Sequence, residues 1–96
     1  MKTLKKVSVT PVYVEFMPDF DKMDEATIYI SEKYGSSTHK CLCGCGEKTV
    51  LPLNKDYGWV LIKENNGTVS FTPSIGNYQM DCKSHYIITN SVANFV

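Results

Sequence analysis

Cys41, Cys43 and Cys45 crowd three thiols into five residues, and Cys82-Lys83-Ser84-His85 answers them far downstream. A structural zinc ion takes four thiolate or imidazole ligands in a tetrahedron, commonly offered as two short pairs from distant parts of a chain. Cys82-x-x-His85 has the spacing of one such pair. The first half is less regular, because alternate side chains of an extended Cys-x-Cys-x-Cys run face opposite ways. Gly44 and Gly46 relieve that constraint: both can take positive φ, so the backbone can curl and bring its amides toward the sulfurs. Five groups, Cys41, Cys43, Cys45, Cys82 and His85, compete for four positions, with His39 as a sixth candidate. Spacing alone does not choose among them. Two disulfides would force one of the crowded cysteines to pair with a neighbour two or four residues away, which strains the bridge. Iron–sulfur spacings differ from this one, and a Cys-x-x-Cys redox pair is absent. The chemistry expected is one Zn2+ stapling the 41–45 loop to the 82–85 turn.

Other reactive groups are sparse. There is no His-Glu-x-x-His, and the carboxylates nearest the Cys/His elements are Glu47 and Asp81. The run Phe71-Thr72-Pro73-Ser74-Ile75-Gly76-Asn77 is rich in turn formers and small hydroxyls. It reads first as a loop that satisfies its own backbone and second as a polar pocket against Ser84 and His85. If only three protein ligands closed on the metal, bound water there would serve hydrolysis, with Glu47 the first candidate base. Ser84 beside His85 is no nucleophile–base pair, since adjacent residues of a strand face apart. The acidic stretch Asp19, Asp21, Asp24 and Glu25 lacks the oxygen spacing and central Gly of a calcium loop.

The elements that must hold these groups are β in character. Val7 to Phe16 alternates as one strand, with Pro11 at an end, an edge or a bulge. Residues 17–27 form a solvated connection with room for one helical turn. Ile28-Tyr29-Ile30 is a strand, 33–38 a turn or short loop, and Thr49 to Leu53 a short strand stopped by Pro52. Tyr57 to Glu64 and Val69 to Phe71 flank Asn65-Asn66-Gly67, a strong hairpin signal. Tyr86 to Thr89, a turn at Asn90-Ser91, and Val92 to Val96 make a second hairpin. Trp59 reads as the main core anchor, with an indole N–H that needs a partner.

At 96 residues the chain is a single domain, 1–96, too small for burial alone to make a robust core. Its formal charge is zero and it contains no Arg, which argues against nucleic-acid binding and removes the commonest bidentate reader of phosphate. No apolar run reaches membrane-spanning length, and the N-terminal residues never form the continuous core of a secretory signal. A cytoplasmic protein is expected. The fold class expected is an all-β or β-dominated small domain, zinc-ribbon-like, with its zinc site between two loops.

Beyond these residues, the text is similar to a bacterial and phage family of small uncharacterised Cys/His zinc-binding proteins. The resemblance rests on His39-x-Cys41-x-Cys43-Gly44-Cys45-Gly46, Leu51-Pro52-Leu53, Gly58-Trp59, Val69-Ser70-Phe71-x-Pro73-Ser74-Ile75-Gly76-Asn77 and Cys82-x-Ser84-His85-Tyr86-x-Ile88, over about residues 28–96. Leu42 and Ile87 depart from the family, which often places Pro and Trp there. Members are often encoded beside ubiquitin-like conjugation genes, so the resemblance implies a protein partner of that kind. The function expected is a structural zinc-binding module that presents a protein-interaction surface. The alternative is a metal-dependent hydrolase or peptidase accessory to a ubiquitin-like conjugation system.

Overall fold

The computed structural model describes residues 6–76 and 84–96. Expectations that fall on 77–83, Asp81 and Cys82 among them, lie outside the described residues. Strands dominate: β1 (Lys6–Ser8), β2 (Thr10–Tyr13), β3 (Thr27–Ser31), β4 (Ser36–Lys40), β5 (Lys48–Pro52), β6 (Val60–Lys63), β7 (Val69–Thr72), β8 (Ile75–Gly76), β9 (His85–Thr89) and β10 (Val92–Phe95). Among the described residues the one helical element is a 3-10 turn at Phe20–Lys22, inside the connection expected to hold one. No described helix is long and apolar enough to cross a membrane.

The strands form two four-stranded sheets, ordered β1-β10-β9-β8 and β2-β3-β4-β5, and a separate β6-β7 hairpin. No closure of these strands into a zinc ribbon is shown; the β-dominated part of the expectation is what the structure supports. β3 is an inner strand buried along its whole length, which is why Thr27-Ile28-Tyr29-Ile30-Ser31 reads as a continuous rather than an alternating pattern. The core gathers Ile28, Ile30, Leu51, Val69, Phe71, Ile75, Tyr86 and Ile88 from all three strand groups.

Three local differences from the sequence reading have physical causes. The single strand expected over 7–16 is split at Val9, whose amide donates to the Ser91 carbonyl at 2.8 Å, so β1 joins one sheet and β2 the other. Pro11, without an amide hydrogen, sits in β2 at a sheet edge, paired parallel to β3. The segment taken as a turn over 33–38 turns earlier, at Gly35 with φ of 62°, and Ser36 onward is β4. Its small polar side chains hide the β pattern, yet Ser37, Thr38 and His39 are buried; Ser37 Oγ, for one, donates to the Leu51 carbonyl at 3.4 Å. Trp59 packs half-buried at the core margin, while Tyr86 and Phe71 are the largest fully buried side chains.

Both hairpins form where turn chemistry places them. Gly67 takes φ of 86° between β6 and β7, and Asn90 and Ser91 take 50° and 59° between β9 and β10. Positive φ at both Asn90 and Ser91 matches the twist of the flanking strands, whereas the three-residue 65–67 loop takes it at Gly67 alone. β6 starts only at Val60, because Gly58 approaches the Pro52 carbonyl so closely that any Cβ there would overlap it. That approach lets Trp59 N–H donate to the same carbonyl at 2.8 Å. Ile30→Ala, in the inner strand, is expected to cost about 2–5 kcal/mol in urea unfolding of the metal-replete protein. Ile62→Ala, on a side chain 42% exposed, is expected to stay within about 0.5 kcal/mol.

Candidate functional site

The site is assembled on the short ladder between β8 and β9, where Ile75 faces Tyr86 and Gly76 faces His85. Opposed residues of an antiparallel pair share a face and side chains alternate along each strand. Ser74, one residue before β8, therefore falls on the same face as His85 and diagonally across from it. Diagonal neighbours are within reach of a ring and a hydroxyl. Ser74 Oγ lies 2.6 Å from His85 Nε2. With the ring proton on Nδ1, the Ser74 hydroxyl donates to Nε2. The Ser74 carbonyl accepts the Trp59 indole N–H at 3.3 Å, which supplies the partner that the indole requires and fixes the peptide behind the hydroxyl.

Ser84, one residue before His85, faces the other way. It is 8% exposed, and its Oγ lies 3.1 Å from Cys41 Sγ. Cys41, Cys43 and Cys45 occupy the loop between β4 and β5, whose last ladder pair is Lys40 with Lys48. Within it the Cys41 amide donates to the Glu47 carbonyl at 2.7 Å and the Gly44 amide to the Cys41 carbonyl at 3.1 Å. Gly44 and Gly46 take φ of 93° and 83°, the curl that brings alternate cysteines onto one side. All three sulfurs lie within 4.8 Å of one another, Cys41 and Cys43 at 3.4 Å. Zn–S bonds near 2.3 Å put tetrahedral sulfurs about 3.8 Å apart. The cluster therefore fits a thiophilic ion, and its burial grades from Cys41 in the core to Cys45 in solvent.

The other candidates are placed as follows. His39 is fully buried on β4 and stands outside the group of three sulfurs. Its Nε2 is 2.7 Å from the hydroxyl of Tyr86, also fully buried. Burial lowers its pKa from 6.5 to about 4, so the ring is neutral at neutral pH. His39 Nδ1 and the Oγ1 of its cross-strand partner Thr49 are buried without a hydrogen-bond partner among the described residues. Glu47 is exposed and touches the cysteine loop through its carbonyl. Of the five proposed ligands, the structure gathers the three loop cysteines and places His85 on Ser74, while Cys82 is among the residues outside the description. The sequence offers the 71–77 run as a polar pocket against Ser84 and His85, but nothing in it singles out Ser74 as the partner of His85. The signal was available only once β8 and β9 were known to pair, because the two residues are eleven apart and carry no elbow motif.

A serine hydroxyl held on the Nε2 of a histidine is the arrangement by which serine hydrolases generate a nucleophile. The comparison with protein families agrees. The chain belongs to the BubE family, described as the bacterial ubiquitination-like system serine protease, whose model matches residues 13–96. No curated protein and no solved structure matches. The family finding corrects the resemblance drawn from the sequence, since the chain falls in a named protease family and not in an uncharacterised Cys/His zinc family. An enzymatic role consequently fits better than a purely structural module, and the tie to a ubiquitin-like system stands.

Metal analysis of purified protein is expected to find about one thiophilic ion per chain, and Co2+ exchange to give thiolate charge-transfer bands. Cys41→Ala should abolish both. Ser84→Ala should retain the ion with affinity lowered about 10- to 100-fold, as loss of a hydrogen bond to a ligand does. A chain without metal whose melting is untouched by chelation would contradict the cluster's role.

Proposed function

We propose that the protein is a serine protease in which Ser74 is the nucleophile and His85 the general base, acting on an acyl bond of a ubiquitin-like protein. The observation that carries the reading is the 2.6 Å contact between Ser74 Oγ and His85 Nε2. On attack, the Ser74 oxygen bonds to the scissile carbonyl carbon and its proton passes to His85 Nε2. Collapse breaks the bond to the leaving amine or alkoxide, which takes that proton from His85. Water then repeats the sequence: His85 accepts its proton, its oxygen attacks the acyl carbon, and Ser74 leaves with the proton returned. The substrate class rests on the family's description alone.

In this reading His85 serves the serine and is not a metal ligand. Cys41, Cys43 and Cys45 would hold Zn2+ with Cys82 as the fourth ligand, closing an all-thiolate site. When bound, the ion supplies a cross-link between the β4–β5 loop and the chain entering β9, and no catalytic step. Ser84 then tethers His85 to that cross-link through Cys41. Thiolates of this kind persist in a reducing compartment, which supports a cytoplasmic setting.

A fluorophosphonate reagent is expected to label Ser74 in the native protein, with the site read by peptide mass mapping. Ser74→Ala and His85→Ala should each lower kcat/KM on a ubiquitin-like fusion by at least about 10³-fold. Ser74→Ala should leave metal content and melting unchanged, since Ser74 lies outside the thiol cluster. Labelling that survives Ser74→Ala, or turnover that survives it, would overturn the assignment. Turnover that follows metal content in Ser74→Ala would favour the metal-hydrolase alternative.

A further inference from the structure

β6 pairs with β7 on one side and, among the described residues, with no strand on the other. The Glu64 amide donates to the Thr68 carbonyl at 2.9 Å at the end of this hairpin. Bonded pairs alternate along an antiparallel ladder, so Ile62 and Val60 follow Glu64 in bonding to β7. Leu61 and Lys63 therefore turn their amides and carbonyls outward, and no hydrogen bond to them is made among the described residues.

Those two residues line an open groove of about 300 Å³, together with Leu53, Trp59, Glu32 and Lys55 among others. Two properties of the groove point to its occupant. The Lys63 ammonium is taken by Glu32 at 2.7 Å, whereas no carboxylate among the described residues pairs with Lys55. The groove thus keeps one uncompensated positive charge. Trp59 is shared with the candidate active site: it lines the groove, and its indole N–H holds the Ser74 carbonyl at 3.3 Å. A chain lying in the groove passes within one indole's breadth of the nucleophile's own peptide.

We infer that this groove receives an extended, acidic segment of the substrate, added as a third strand on the outer edge of β6 and guided by Lys55. The inference rests on the reading of Ser74 as nucleophile for calling that segment substrate. Its physical basis is separate: unpaired ladder groups at Leu61 and Lys63 offer main-chain hydrogen bonds that any extended peptide can make. Lys55 adds the selection for charge, a rim contact that tunes preference more than affinity.

The test is an NMR titration of isotope-labelled Ser74→Ala protein with the capped peptide Ac-Thr-Val-Glu-Val-Thr-amide. Three comparison peptides carry Lys in place of Glu, N-methyl groups on alternate amides in one register, or N-methyl groups in the other register. Saturable shifts are expected at the Leu61 and Lys63 amides and the Trp59 indole, with Kd near or below about 1 mM. N-methylation in one register should weaken binding about tenfold, the loss of roughly one to two main-chain hydrogen bonds. The Lys peptide should bind about three- to fivefold more weakly than the Glu peptide, and Lys55→Glu should reverse that order. Absence of saturable shifts, shifts that map away from β6, or equal binding in both N-methyl registers would overturn the inference. Fluorophosphonate labelling of the wild-type protein, run alongside, keeps the two readings apart. Labelling without peptide binding removes the groove alone. Peptide binding without labelling leaves β6 as a peptide-docking edge and removes the serine-protease assignment.

Discussion

Consecutive side chains of an extended chain face opposite ways, and at Ser84-His85 that constraint joins the two halves of the candidate site. Ser84 meets the sulfur of Cys41 on one side, and His85 meets the hydroxyl of Ser74 on the other. Neither contact can shift far without the other, because one peptide bond separates them. A displacement of Cys41 would therefore reach the imidazole through Ser84 and the peptide bond between them. Tyr86 locks the same stretch from the next residue, fully buried and bonded through its hydroxyl to His39 on β4, the strand that leads into the cysteine loop.

Such an arrangement suits a chain of this size. A small domain cannot rely on mass of core to hold a nucleophile and a base in register, since its buried area yields only a few kcal/mol of net stability. Here His85, the proposed base, lies on a strand paired on both sides, by β8 and β10, and Ser74, the proposed nucleophile, is held from behind by Trp59. The neutral state of His39 fits the same economy: a ring so deeply buried avoids the penalty of an isolated charge by giving up its proton.

Much of this was legible in the residues themselves. Asn65-Asn66-Gly67 and Asn90-Ser91 announced their hairpins because turn chemistry is local. The positive φ of Gly44 and Gly46 followed from the need to curl a crowded thiol loop. β4 was hidden, since Ser36-Ser37-Thr38 has neither the bulk nor the alternation that marks a strand, and the Ser37 bond to the Leu51 carbonyl is one that no periodicity reveals. The pairing of Ser74 with His85 was hidden for a different reason. It depends on register between two strands, one only two residues long. Ser84 faces away from His85, as adjacent residues of a strand must, and the hydroxyl that meets the ring comes from across the ladder.

The family's span begins at residue 13, so β1 and nearly all of β2 fall before it. Each is the terminal strand of its sheet, lying against β10 and β3 respectively. Without them the body would end in two raw margins, one of them the wholly buried Thr27-Ile28-Tyr29-Ile30-Ser31, a stretch well suited to zip against another copy of itself. The strands that cover these margins are three and four residues long, and they carry Lys6 and Pro11, features that make a poor template for further pairing. These two strands work as a hem: they cover the margins of both sheets and keep the fabric behind them from being sewn to its neighbours.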